Sequence, residues 1–207
     1  MKTLAINAQK GGSGKTTIAV HLAVCATQHD IHTALIDIDP QASAFKWNES
    51  RDEARKLDAI KATPAQLAGL LGQAKKAKAG LVVIDTAPHS DSAAAIAAQL
   101  ADFVLIPCRP ARFDLDAIAS TVEIARLAKT PAAVLLNAVP PRGSIGEEAR
   151  ETLSRQNIPV IDVLTFQRAA YTHAVIDGRS VHEYEPDGKA AAEVDALFDW
   201  LHKKLKV

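Results

Sequence analysis

Aromatic residues make up only 4% of this 207-residue chain, too few for the stacking platforms that hold single-stranded nucleic acids. Cysteine is scarcer still. Cys25 and Cys108 stand alone, without a second thiol at C-x-x-C spacing, which excludes a disulfide framework and the usual cysteine zinc and dithiol motifs. Both are expected to be buried, inert thiols in a reducing cytoplasm. Net charge is also absent, because 24 lysines and arginines face 24 aspartates and glutamates. Any affinity for an acidic polymer must therefore come from a local patch or from the summed surface of an oligomer. No apolar run approaches the roughly 18 residues of a membrane-crossing helix. The stretch Met1 to Asn7 is too short for a signal peptide.

What the chain does contain is 48% hydrophobic and 23% charged residues, the profile of an ordinary folded domain. No composition break or fixed repeat divides it, so one domain is expected over 1–207. Apolar runs recur at Leu4–Ala8, Thr33–Ile36, Leu81–Ile84, Phe103–Ile106, Ala132–Leu136 and Val160–Leu164. They are nearly continuous in Val, Ile, Leu and Ala, as strands are when helices cover both faces of a sheet. Helical spacing fills the intervals at Thr16–Gln28, Pro64–Lys78, Ala93–Leu100, Leu115–Leu127 and Glu147–Gln156. Strand alternating with helix predicts an α/β fold with a mostly parallel, twisted sheet. Pro140-Pro141-Arg142-Gly143-Ser144 is the clearest loop, and Lys75-Lys76-Ala77-Lys78 suits a helix C-terminus, with a nucleic-acid contact as the alternative.

Directly after the first strand comes Gln9-Lys10-Gly11-Gly12-Ser13-Gly14-Lys15-Thr16-Thr17, which opens a helix. Small residues there let backbone N–H groups curl around a phosphate, the helix offers its positive end, Lys15 reaches the β and γ phosphates, and the Thr16 hydroxyl suits Mg2+. The usual pattern has glycine where this chain has Gln9, and it has no counterpart of Lys10. One lysine suffices for a nucleotide in its own subunit, so a second on the same loop suits a contact made in trans across a dimer.

Lys10-Gly11-Gly12-Ser13-Gly14-Lys15-Thr16-Thr17 resembles the deviant Walker A motif of the ParA/MinD superfamily of P-loop ATPases. The resemblance extends to Asp37-Ile38-Asp39-Pro40-Gln41 and to Val82-Val83-Ile84-Asp85-Thr86-Ala87-Pro88. It implies a P-loop NTPase fold, ATP and Mg2+ as cofactors, and a nucleotide-dependent homodimer in which Lys10 touches the partner's nucleotide. Residues 10–17 are then the nucleotide cradle, with Lys10 and Lys15 acting on the phosphates.

Asp37, Asp39 and Asp85 fall where strands are expected to end, the ligand side of a parallel sheet. Alone, each is equally well a helix cap or turn former. Asp85 reads as the Walker B carboxylate that acts on the metal. By the resemblance, Asp37 supports the metal and the loop threonine, and Asp39 positions the hydrolytic water. Asn137 offers a donor and an acceptor suited to an adenine edge, the alternative being a turn residue before Pro140.

Asp39-Pro40-Gln41 resembles the ParA branch, which segregates plasmids and chromosomes. MinD relatives end in a membrane-binding amphipathic helix, and here Val194, Leu197, Phe198, Leu201 and Leu205 share one helical face beside Lys203, Lys204 and Lys206. That face can dock on the sheet or lie on a membrane, but Asp195 and Asp199 suit anionic lipid poorly, so a membrane partner is not expected. The first strand begins at Lys2 or Thr3, which leaves no N-terminal helix-turn-helix domain to expect.

The resemblance thus implies a small, plasmid-type partition ATPase, cytoplasmic and nucleoid-associated. Its ATP-bound sandwich dimer binds DNA without sequence preference and is released when a small ParB-like centromere-binding protein stimulates hydrolysis. Arg142, Arg150, Arg155, Arg168, Arg179 and Lys189 are candidates for the phosphate contacts, a solvated surface role being the alternative for each. The rival readings are a MinD-like membrane-associated positioning ATPase and a metabolic P-loop enzyme.

Overall fold

Short runs of branched apolar residues bury both faces only inside a sheet covered on both sides, and the computed structural model, which describes residues 1–207, has that arrangement. The strands are β1 (Lys2–Ile6), β2 (Thr33–Asp37), β3 (Asp58–Lys61), β4 (Leu81–Asp85), β5 (Phe103–Cys108), β6 (Ala132–Val139) and β7 (Val160–Phe166). They form one sheet in the order β3-β2-β4-β1-β5-β6-β7, and every pairing is parallel. The helices are α1 (Lys15–Gln28), α2 (Ser43–Glu49), α3 (Leu67–Lys76), α4 (Asp91–Leu100), α5 (Arg112–Asp116), α6 (Ile118–Leu127), α7 (Ile145–Arg155), α8 (Ala169–Ile176), α9 (Val181–Tyr184) and α10 (Lys189–Leu205).

Two hydrophobic layers sandwich the sheet. One is built around α1 and α10 through Ile18, Leu22, Val194, Leu197 and Leu201. The other gathers Leu67, Leu71, Ala97, Ile118, Ala125 and Leu153 from α3, α4, α6 and α7. The chain leaves β1 toward β2 on one side and passes from β4 to β5 on the other. The carboxyl end of β1 therefore lies at a topological switch point, where parallel sheets open a ligand crevice.

The expected strands and the helices between them are present, with instructive differences. β3 escapes the apolar pattern because Asp58 and Lys61 make it an exposed edge, and charge on an edge strand discourages pairing with another chain. The run expected as one helix over Leu115–Leu127 is divided at Ala117 into α5 and α6. Pro64–Gln66 forms a 3-10 turn capped by Thr63 before α3 begins, and α3 ends with Lys75 and Lys76 in its last turn, where cations complement the carbonyl end. The apolar face of α10 is docked rather than free: Val194, Leu197, Phe198, Leu201 and Leu205 are all buried in the α1 layer. Leaving them exposed to water would forfeit roughly 1.5–3 kcal/mol for each side chain. No helix is long and apolar enough to cross a membrane.

Candidate nucleotide-binding site

The glycine loop leaves β1 at its carboxyl end and turns into α1. Gly14 makes that turn with φ +95, and a Cβ there would lie 2.2 Å from Asn137 Nδ2. Only glycine meets both demands. The approach is close because Asn137 Nδ2 donates to the Ser13 carbonyl at 2.7 Å, while Asn137 Oδ1 accepts from Thr165 Oγ1 at 2.6 Å. One end of the amide thus holds the loop while the other is anchored to β7. β6 continues to Val139, so Asn137 sits within the strand and beneath the loop rather than in a turn before Pro140, and it lines the cavity beside the loop.

Lys15 is buried, its Nζ 3.5 Å from the Lys10 carbonyl. Burial lowers its pKa, and the nearby Asp85 and Asp39 carboxylates oppose that shift. Thr16 Oγ1 donates to Asp85 Oδ2 at 2.7 Å. Asp85 is fully buried, and its Oδ1 has no hydrogen-bond partner. Burial pushes its pKa up to about 7, with Asp37 and Asp39 adding to the rise and Thr16 and Lys15 resisting it. An unpartnered buried carboxylate oxygen beside a threonine hydroxyl is a hard-oxygen donor set that fits Mg2+.

Asp37, at the end of β2, is held by backbone donors. Its Oδ1 accepts from the Asp39 N–H and its Oδ2 from the Phe45 N–H, both at 3.0 Å. Burial raises its pKa, and these backbone donors lower it in part. The Thr16 hydroxyl contacts Asp85, and Asp37 shapes the loop from Ile38 to Phe45. Within that loop Asp39 is half-buried and its Oδ1 accepts from the Gln41 N–H at 2.8 Å. Lys10, in the glycine loop, is exposed. Gln9, the departure from the usual glycine, has a job: its Nε2 donates to Asp91 Oδ1 at 2.5 Å and its N–H to Thr121 Oγ1 at 3.3 Å.

Beside the loop lies a cavity of about 320 Å³ lined by Gly12, Gly14, Thr17, Arg109, Arg168 and Tyr171, among others. Arg109 follows β5 and its guanidinium passes over Gly12; sequence reasoning missed it, and its position just past a strand end is the signal that could have found it. Arg168, a candidate DNA contact, lines this cavity. It pairs with Glu193 at 2.5 Å and covers the Phe166 ring. Arg150, another candidate, donates to the Ile161 carbonyl at 3.0 Å and pairs with Asp162 at 3.5 Å. Arg155 pairs with Glu151 along α7 and Arg179 with Asp177. Arg142 and Lys189 remain exposed without a carboxylate partner.

A family profile described as the CobQ/CobB/MinD/ParA nucleotide binding domain matches residues 4–180. The chain belongs to this nucleotide-binding family. Within it, the protein named maintenance of carboxysome distribution protein A from Gloeobacter kilaueensis is 37% identical over 99% of this chain and 94% of its own length. A protein of the same name from Halothiobacillus neapolitanus is 33% identical over 92% of this chain and 91% of its own. The sporulation initiation inhibitor protein Soj of Bacillus subtilis is more distant, at 25% identity over 92% of this chain and 94% of its own. Among solved structures, a Cyanothece McdA–ATP complex superposes with a TM-score of 0.78 at 17% identity, covering 97% of this chain and 96% of that one. The septum site-determining protein MinD of Pyrococcus horikoshii, complexed with Mg-ADP, gives 0.77 at 16%, covering 98% and 96%. At those identities the likeness is one of fold, shared by members of the ParA/MinD group that hold ATP or Mg-ADP.

Proposed function

We propose that this chain is a cargo-positioning ATPase that cycles between an ATP-bound dimer on DNA and a released ADP-bound state. The observation that carries the reading is the division of labour on one loop. Lys15 is buried beside Asp85 and Asp39 and serves the nucleotide of its own subunit, while Lys10 is exposed and free of any carboxylate. A cation in that position suits the nucleotide of a facing subunit, so that the triphosphate state dimerises better and ATP shifts the equilibrium. Thr16 and Asp85 would hold Mg2+, whose chemistry there is to neutralise developing phosphate charge. Asp39 orients the attacking water, and Lys15 stabilises charge on the transferred group.

The relatives support one cargo class over another. Those at 33–37% identity over nearly the whole chain are named for carboxysome distribution, whereas Soj stands at 25%. A protein compartment is therefore favoured as cargo over a plasmid, with an adaptor protein on the compartment, in place of a centromere-binding protein, stimulating hydrolysis. Exposed cations such as Arg142 and Lys189 are doubled in a dimer and suit sequence-independent phosphate contacts. Binding to a random-sequence duplex, measured with ATP, with ADP and without nucleotide at two salt concentrations, tests the cycle. The expected result is ATP-dependent binding that weakens steeply with salt, by a log–log slope of about 0.9 for each phosphate contact. Capture by anionic vesicles in place of DNA would overturn it.

A further inference from the structure

The nucleotide site leaves unused a second group of chemistry-bearing side chains at the far end of α1. Cys25 lies inside α1 and is completely buried, His29 follows one turn later as its C-cap, and α10 carries Asp195 across to them. One sulfur, one imidazole nitrogen and one carboxylate oxygen from these residues all lie within 4.8 Å of one another. Cys25 Sγ is 3.6 Å from Asp195 Oδ1. The His29 ring stacks on Phe198 with centroids 4.7 Å apart. His182, its side chain only 9% exposed, contacts the same Asp195 oxygen through Nε2 at 2.8 Å, and its buried Nδ1 has no partner.

We propose that Cys25, His29 and Asp195 form a binding site for a borderline-soft divalent cation, with Zn2+ as the ion that fits best, and that His182 is a positioning residue acting through Asp195. Sulfur and imidazole donors favour zinc over magnesium or calcium, which take oxygen. Ligands four residues apart on one helix share a face, and Cys25 and His29 do so with Asp195 opposite. Zinc bonds of about 2.0–2.3 Å place tetrahedral ligand atoms roughly 3.3–3.8 Å apart. The Cys25–Asp195 pair already meets that spacing, and rotation of the exposed His29 side chain closes the rest. A carboxylate ligand oriented by a histidine reproduces the outer support that fixes ligands in zinc proteins. The fourth position faces the solvent side, where His29 and Asp199 are exposed, and takes water.

Burial together with the Asp195 and Asp199 carboxylates holds the Cys25 thiol protonated. On binding, the sulfur–hydrogen bond is exchanged for a sulfur–zinc bond and the proton leaves to solvent, with no change of oxidation state. The cation also offsets the carboxylate charge beside the sulfur. The result ties α10 to α1, the helix whose first turn carries Lys15 and Thr16.

Cobalt substitution tests the site in the full, tag-free chain kept under a phosphine reductant. Cobalt at the Thr16–Asp85 pair has oxygen ligands only, so thiolate-to-cobalt absorption in the near ultraviolet reports a cysteine site alone. The expected result is that absorption on adding Co2+, its displacement by Zn2+, its loss in Cys25→Ser and in His29→Ala, and its retention in Cys108→Ser. His29 is exposed, so His29→Ala keeps its fold and its nucleotide binding even if Cys25→Ser does not. His182→Ala weakens zinc about 10–100-fold, read by competition with a chromophoric chelator, while the absorption band keeps its shape. Absence of the band in the wild type, or its persistence in His29→Ala, overturns the proposal.

Discussion

Gly14 has no room for a side chain, and the reason is a single asparagine. Its φ is +95 and Asn137 Nδ2 occupies the position a Cβ would take, so Gly14→Ala is expected to abolish nucleotide binding in an equilibrium titration. Asn137→Ala clears the space but leaves the Ser13 carbonyl and the Thr165 hydroxyl without their buried partner, at a cost of about 1–3 kcal/mol in urea unfolding. The double variant should bind no better than Gly14→Ala, because the left-handed backbone strain persists. His21 gives the pH dependence at this scale. Burial, with smaller contributions from His182 and Arg51, lowers its pKa to about 3. The unfolded chain takes up its proton near the ordinary value of about 6.5, so stability present above that pH is lost as the pH falls, about 2 kcal/mol of it by pH 5. Thermal unfolding of the wild type should therefore shift downward between about pH 7.5 and 5 more than that of His21→Gln.

Among the elements, the joint between α2 and α9 depends on one ion pair. Arg51 lies under the Trp47 ring at 4.5 Å and grips both oxygens of Glu183, at 2.8 and 3.1 Å, while its Nε donates to the Arg55 carbonyl. Its side chain is 1% exposed and that of Glu183 14%. Glu183 also caps α9 by accepting from the Ser180 N–H. Arg51→Met strands a buried carboxylate, and a loss of about 3–5 kcal/mol in chemical denaturation is expected. Adding Glu183→Gln should recover part of it, since the unpaired charge is gone. None of α2, α8 or α9 was legible in the sequence. These are short helices whose stability comes from such contacts rather than from a long apolar stripe, and Arg51 and Glu183 meet across 132 positions of chain.

For the whole molecule the decisive question is what a second copy adds. Lys10→Ala is expected to keep ATP binding within a few fold, because Lys15, Thr16 and Asp85 are untouched, and to lose ATP-dependent dimerisation in analytical ultracentrifugation. A Lys10→Ala protein that still dimerises with ATP would remove the trans contact from the mechanism. Asp39→Ala should dimerise normally and persist as a dimer, visible as DNA binding that no longer decays as ATP is consumed. Together the variants separate assembly from hydrolysis, which a single turnover measurement cannot do.

The apolar runs of β1, β2, β4, β5, β6 and β7 and the glycine loop that follows β1 were determined by the sequence alone. A strand buried on both faces and a phosphate loop each write their requirement into adjacent residues. The order of the strands, the union of Thr16 with Asp85, and the use of Gln9, Asn137 and Arg168 were decided only by the tertiary structure. Those roles depend on which distant partner the fold brings within about 3 Å, and no local pattern encodes it. The edge strand β3 belongs to the same class, since Asp58 and Lys61 become a strand only because β2 offers them a ladder. The cluster at Cys25 shows the point most sharply: thiol and imidazole share a helix face in the sequence, but the carboxylate that faces them comes from α10, 170 positions along the chain from Cys25.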